Sequence, residues 1–323
     1  MNLETKPGDV IGSYQIKGLI NKGGTANVVL AGSRGVDYAL KITRVDGTAE
    51  QNQQNNIATR KEANLLSSLN HDRIVKVFPL ELASDIIRSM KNEVFYAKAT
   101  ELSNAPWYFA MEYLCGNTLG NYVKKCGPLT VPESTNIVGN IGLGLGYLHE
   151  KKFAHNDVKP ENIVFRKRIV KGEAYDPVLI DFGTAAGVKR FVDEAGSWYV
   201  MSPERVRVAT GRVAPEQASQ INPVKADMWS LGILLYQSLT NSLPFPSSDQ
   251  RRLTSQILDD IPESTRKRNK AVPKELDDFI IDNCLSKRPE ERPTIREFLE
   301  FIYQYSGRGV LAESIKAGYY GRK

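Results

Sequence analysis

Two short segments leave little freedom in what this chain can fold into. The first reads His155, Asn156, Asp157, Val158, Lys159, Pro160, Glu161, Asn162; the second is Asp181, Phe182, Gly183, just after the apolar run Pro177, Val178, Leu179, Ile180. The first supplies a carboxylate, a lysine two residues on and a carboxamide five residues after the carboxylate, at the end of an expected helix. The second sets another carboxylate on a tight glycine turn beyond an expected strand. Phosphoryl transfer from ATP needs such groups: a carboxylate to orient a hydroxyl, oxygen ligands for Mg²⁺ and a cation to spread charge. Read alone, either segment is equally an acidic loop beside a strand.

Taken together, in this order and spacing, the two resemble the catalytic and metal-binding loops of the eukaryotic-type serine/threonine protein kinases, a recognised signature set. The resemblance covers roughly residues 10–305 and implies the bilobal protein-kinase fold, of α+β class. A small antiparallel β lobe with one helix is expected over residues 14–113 and a larger, mainly helical lobe over 114–305. Residues 1–13 are then a leader and 306–323 a tail whose default state is frayed.

Composition is compatible with that scale. The chain has 323 residues, 41% hydrophobic and 25% charged, which suits one large or two medium globular domains. Forty-three Lys and Arg against 37 Asp and Glu give a net charge of +6, too thinly spread to indicate nucleic acid. The densest basic run, Arg266, Lys267, Arg268, Asn269, Lys270, reads as a solvated loop, with a docking patch as the other reading. Cys115, Cys126 and Cys284 lack the spacing of a disulfide framework or zinc site. No signal peptide, myristoylation pattern or membrane-spanning apolar run is visible. The expectation is a cytoplasmic protein acting on a protein substrate, with no nucleic acid and no membrane span.

From Tyr14 to Leu40 short strands alternate with glycine, and residues 19–28 resemble the kinase phosphate-covering loop. Glycine there lets backbone amides approach phosphates that a Cβ would obstruct. Of the three usual glycines only Gly23 is kept; Asn21 and Ala26 replace the outer two, which implies a stiffer lid. Lys41 follows Tyr38, Ala39 and Leu40 on an apolar strand, and a buried ammonium needs a partner. Glu62, in a helix expected over residues 60–69 with Leu65, Leu66 and Leu69 facing inward, is that candidate. The resemblance implies that Lys41 holds the α/β-phosphates and Glu62 fixes Lys41. It assigns Ile20, Gly23, Gly24, Val28, Ala39, Met111 and Val164 to the nucleotide, with backbone groups of Glu112 and Leu114 at the adenine edge. It also stacks Leu66, Val77, His155 and Phe182 in one apolar column.

Two stretches depart from the compact family pattern. Residues 51–56 form a polar Gln/Asn tract, expected as a mobile insert. Residues 84–106 exceed the usual hairpin connection and are expected to hold extra local structure, with a strand at Val94, Phe95 and Tyr96. Further on, Thr130 and Glu133 make a capping box that opens a helix with Ile137, Ile141, Leu145 and Leu148 on one side. Gly139, Gly142, Gly144 and Gly146 within it point to close packing.

In the large lobe the resemblance makes Asp157 the carboxylate that orients the acceptor hydroxyl and takes its proton. Lys159 contacts the transferring phosphate, and Asn162 and Asp181 ligate Mg²⁺, with Mn²⁺ as the alternative metal. Asp181 thus also belongs to the nucleotide site. Ser197 bridges to Asp157 and Lys159, Glu204 pairs with Arg292, and Asp227 caps the catalytic-loop backbone. Asn156 departs from the family, which mostly has arginine there to pair with a phosphorylated loop. Residues 185–196 also lack Ser, Thr and Tyr. Activity without loop phosphorylation is therefore expected. Residues 84–106, the loop 205–226 and the C-terminal tail are the expected docking segments. Two other readings stand beside the serine/threonine kinase: a catalytically silent kinase-like ATP-binding scaffold, and a small-molecule phosphotransferase.

Overall fold

The computed structural model describes residues 5–80, 93–170, 173–188, 197–214, 218 and 220–307. The chain divides into two compact units, Met1–Cys115 and Gly116–Lys323.

The described residues of the first unit form one antiparallel sheet with a helix. Its strands are β1 (Val10–Ile11), β2 (Tyr14–Lys22), β3 (Ala26–Ser33), β4 (Val36–Thr43), β5 (Val77–Phe78), β6 (Tyr96–Lys98) and β7 (Trp107–Glu112), in the order β1-β2-β3-β4-β7, with β5 and β6 both on the far edge of β7. The sheet therefore starts ahead of residue 14, inside the segment expected as a leader. The β3–β4 turn is only Arg34 and Gly35, with φ of 49° and 80°. Positive φ at both positions is the hairpin geometry that matches strand twist. Ile16, Val29, Ala31, Leu40 and Ala110 form the core with Tyr14 and Tyr108.

The helix of this unit, α1, spans Ala49–Ser67 and corrects the expectation of a mobile insert at residues 51–56. Its polar first half is held by side-chain hydrogen bonds. Thr48 Oγ1 accepts from Gln51 N while Gln51 Oε1 accepts from Thr48 N. Asn52 donates to Val45 O and Gly47 O, and Asn55 to Arg44 O. A capping box and three amide brackets offset what the tract cannot bury. The strand expected at residues 94–96 lies two positions later, where Tyr96, Ala97 and Lys98 pair with Phe109, Tyr108 and Trp107. Tyr96 then packs edge-on against Trp107, 5.4 Å between ring centres. Residues 81–92 of the long connection lie outside the described residues.

The second unit is mainly helical. Helix α2 is Leu119–Cys126; α3, Val131–Glu150, opens on the Thr130–Glu133 capping box and buries Ile137, Ile141, Leu145 and Leu148 completely. A Cβ at Gly142 would lie 3.1 Å from the Leu299 side chain, a tight approach of the kind the sequence pointed to. Short strands β8 (Phe153–Ala154), β9 (Ile163–Phe165), β10 (Pro177–Leu179) and β11 (Ala186–Gly187) pair as β9–β10 and β8–β11. Helix α4 is Pro203–Ala209 and α5, Pro223–Thr240, is apolar nearly all round, as a central buried helix must be. Residues 205–226, expected as a loop, are thus helical at both ends; residues 215–217 and 219 lie outside the described residues, as do 308–323 of the tail. Helices α6 (Gln250–Asp259), α7 (Thr265–Arg268), α8 (Lys274–Asp278) and α9 (Ile295–Tyr303) complete the unit.

Arg292 ties its end to α4. The guanidinium makes a two-pronged pair with Glu204, 2.7 Å on each arm, donates to Ser286 O and Lys225 O, and lies over Trp229. All three nitrogens donate, four of the five N–H groups in all, which is the condition under which a buried ion pair is tolerated. All three cysteines are free. Among the described residues no helix is long and apolar enough to cross a membrane.

Candidate active site

The glycine turn of the first unit joins β2 to β3. Gly23 N donates to Ala26 O at 2.9 Å, and a Cβ on Gly23 would lie 2.7 Å from that same oxygen. Only glycine fits. Nothing lies within 4 Å of a Cβ at Gly24, and Asn21 and Ala26 are ordinary strand residues. Arg44 Nη1 donates to Gly23 O at 3.1 Å. Lys41, on β4, is 9% exposed, and its Nζ lies 2.7 Å from Glu62 on α1, which is 4% exposed. Ala39 pairs with Met111 across β4–β7 and is buried, Val28 is half-buried on β3, and Ile20 is exposed on β2. The N–H of Glu112 is committed to Lys76 O at 2.9 Å.

In the second unit the catalytic segment follows β8. Its backbone groups are bound one by one. Asp227, at the start of α5 and fully buried, accepts the N–H of His155 and of Asn156, both at 2.8 Å, and contacts His149 Nε2 at 2.8 Å. Asp157 N donates to His155 Nδ1 at 3.3 Å, Thr184 Oγ1 donates to His155 O at 2.9 Å, and Arg205 Nη1 donates to Asn156 O at 2.7 Å. Burial alone would raise the Asp227 carboxyl; the hydrogen bonds from His149 and the His155 backbone reverse the balance and hold it below the ordinary range. Burial pushes the His155 imidazole down, against the pull of Asp227, Asp157 and Asp181. That ring packs edge-on against Phe182 with centres 4.8 Å apart.

Asp157 is the meeting point. Lys159 Nζ lies 2.6 Å from Oδ2, Asn162 Nδ2 donates to Oδ2 at 3.1 Å and to Asp157 O at 2.9 Å, and Ser197 N donates to Oδ1 at 2.8 Å. Lys159 Nζ also reaches Ser197 Oγ at 2.7 Å. Because both partners of the Asn162 nitrogen can only accept, the amide orientation is fixed and its oxygen is the group left to ligate. Asn162 ends the turn before β9 and Asp181 follows β10; Ile180 N donates to Asn162 O at 2.8 Å, joining the two at one end of the β9–β10 hairpin. Asp181 stands at φ 62°. A carboxamide and a carboxylate oxygen suit a small hard cation that keeps water and phosphate as its other ligands. Among the described residues no cluster of three His, Cys, Asp or Glu side chains offers an all-protein cage instead.

The protein kinase domain model matches residues 14–303. The chain belongs to the protein kinase family. Among curated relatives, the serine/threonine-protein kinase PrkC of Bacillus subtilis is 28% identical over 90% of this chain and 40% of its own length. The serine/threonine-protein kinase ATG1a of Arabidopsis thaliana is 26% identical over 91% of this chain and 42% of its own. PknB of Mycolicibacterium smegmatis, also a serine/threonine-protein kinase, is 28% identical over 89% and 42%. The chain thus spans about two fifths of the length of these relatives.

Gly116 and Arg205 of this kinase domain escaped the sequence reading, and Asn156 was read for only part of what it does. Gly116 donates to Phe165 O, and a Cβ there would fall 2.3 Å from that oxygen. Asn156 does more than lack a charge: its Nδ2 donates to Thr184 O at 3.2 Å, tying the catalytic segment to the residue after Gly183. Arg205 is 3% exposed. Its only sequence signal was a cation at a helix position beside apolar Val206.

Proposed function

We propose that this kinase domain transfers the γ-phosphoryl group of ATP to serine and threonine hydroxyls of proteins. One observation carries the reading: Asp157 holds its carboxylate at 2.6 Å from Lys159 and 2.8 Å from the Ser197 N–H, poised beside a cation and a backbone donor. Relatives named as serine/threonine kinases support the acceptor class, as does a lysine two positions after the aspartate.

Asp157 orients the acceptor hydroxyl and receives its proton, a contribution of about 10²–10⁴ in rate. Lys159 neutralises charge on the phosphoryl group in transit, and Lys41, steadied by Glu62, holds the α/β-phosphates. Asn162 and Asp181 hold the divalent ion, Mg²⁺ in this reading, which when bound neutralises phosphate charge. The family resemblance assigns Ile20, Val28, Ala39, Met111 and Val164 to the base, Leu114 and Glu112 to its edge, and Gly23 and Gly24 to the phosphates. Labelled ATP with Mg²⁺ and a generic basic protein tests this. Label on Ser or Thr, lost in Asp157→Asn at unchanged melting temperature, is the expected result. Nucleotide-induced stabilisation without transfer in the unaltered chain would instead favour the silent scaffold.

Turnover in this reading needs no phosphate on the loop after Gly183. Support comes from Asn156, whose amide binds Thr184 O directly, and from the lack of hydroxyls in residues 185–196, of which 189–196 lie outside the described residues. Phosphatase treatment is expected to leave the rate unchanged. Loss of activity, restored by phosphate at Thr184, Ser197 or Tyr199, would overturn it.

A further inference from the structure

Residue 156 is the hinge from which Asp157 projects, and it is not a glycine: Asn156 stands at φ 67°, in the left-handed region that side chains rarely adopt. Such a residue keeps its conformation only when its surroundings over-determine it. Here they do so on both sides of one Cα. Asp227 Oδ1 takes the N–H of Asn156 at 2.8 Å, and Arg205 Nη1 supplies a hydrogen bond to its carbonyl at 2.7 Å. The first contact fixes rotation about N–Cα, the second about Cα–C, and the second sets the direction in which the chain enters Asp157.

We propose that Arg205 is a positioning residue for phosphoryl transfer, aiming the Asp157 carboxylate by holding the Asn156 carbonyl from beneath.

Nothing in the chemistry assigned above requires a cation at 205, yet one is buried there with 3% of its surface exposed. An apolar side chain would cost less to bury and would leave the Asn156 carbonyl, on a residue only 5% exposed, without this donor. A cation is also what the site's charge requires. Burial works against the charged guanidinium and lowers its pKa, and Asp227, Asp157 and Glu204 pull in the opposite direction. Glu204 already has Arg292 and Asp157 has Lys159. Arg205 and Asp227 are thus opposite charges gripping opposite sides of residue 156. Arginine suits this better than lysine, since its planar fork holds direction while the rest of the group meets other partners. Because α4 carries Arg205 next to Glu204, the α4 anchor and the aim of Asp157 are built on one turn of helix.

The inference rests on the kinase reading, and its test separates the two. In the full chain, Arg205→Ala is expected to lower kcat about 10- to 100-fold, the scale of an ångström-level misplacement, with KM for ATP within about twofold. Millimolar guanidinium chloride, unlike sodium chloride, is expected to restore part of the loss. An unchanged kcat, or a loss that guanidinium leaves untouched, overturns the proposal. Arg205→Lys gives a second readout that needs no turnover: backbone amide exchange at His155, Asn156 and Asp157 should accelerate while that of Leu231 to Leu235 in α5 stays slow. Unchanged exchange at the three amides overturns the proposal as well. If the unaltered chain transfers no label to protein, the kinase reading fails, and the exchange experiment still decides whether Arg205 holds the loop.

Discussion

The catalytic segment and the glycine turn are both short loops assigned to ATP chemistry, yet they are held in opposite ways. At His155, Asn156 and Asp157, six backbone hydrogen bonds run to side chains, those of Asp227, His155, Thr184, Arg205 and Asn162, and the three residues are at most 5% exposed. At residues 22–25 the turn is mostly exposed and rests on the Gly23–Ala26 bond, the Arg44 N–H bond to Thr25 O and the Arg44 side-chain contact with Gly23 O. A base must be aimed before its substrate arrives, whereas a lid must admit and release it. The buried loop is specified by many distant side chains, and the exposed turn mainly by its own backbone, one steric requirement and Arg44.

Removing the acceptor under the rigid loop should have the largest effect. Asp227→Ala orphans two buried N–H groups and the His149 contact, and is expected to cost about 3–5 kcal/mol at about 1–3 kcal/mol per lost partner. Urea unfolding measures it, and a change below about 1 kcal/mol would mean that the loop is not held as described. Acid should strain the same region next. Burial keeps His155 neutral in the fold, and burial also lowers His71 in the first unit, to about 4. His71 Nδ1 accepts a hydrogen bond from Arg73 N, which only the neutral ring can do. Both values lie below that of the unfolded chain, so protons are taken up on unfolding as pH falls. Stability is therefore full above about pH 6.5 and declines below it, by at most about 1.4 kcal/mol per pH unit for each histidine. A flat unfolding free energy between pH 7 and 5 would contradict this.

The glycine turn should yield smaller changes. Gly23→Ala places a methyl against Ala26 O, and is expected to cost about 1 kcal/mol with a rise in KM for ATP. Gly24→Ala meets nothing within 4 Å and should stay within about 0.5 kcal/mol of the unaltered chain. Equal effects from the two substitutions would erase the distinction between a required glycine and a permitted one.

The same contrast explains what could be read from the sequence. Asp157, Lys159, Asn162 and Asp181 stand out because chemistry demands those side chains at fixed spacing along one strand pair. The α3 capping box at Thr130 was legible for a similarly local reason, while the α+β class followed from the family resemblance. Of what holds the loop, Asp227 followed from the family resemblance, whereas Arg205 did not, because it lies 49 positions from Asn156 and no local pattern marks the contact. Helix α1 hid differently. Its polar first half has no apolar periodicity, and the Thr48–Gln51 capping box was the signal that a composition-led reading passed over. The strand at β6 slipped by two residues because its register is set by β7, a partner chosen through Trp107 and Phe109 and not by its own apolar run.

Amide hydrogen exchange tests the contrast most directly, followed at both loops in the same sample near pH 7. The amides of His155 and Asn156, each bound to the buried Asp227 carboxylate, are expected to exchange orders of magnitude more slowly than those of Gly24 and Thr25 in the exposed turn. Comparable rates at the two loops would contradict the claim that the catalytic segment is fixed in advance by its own side chains.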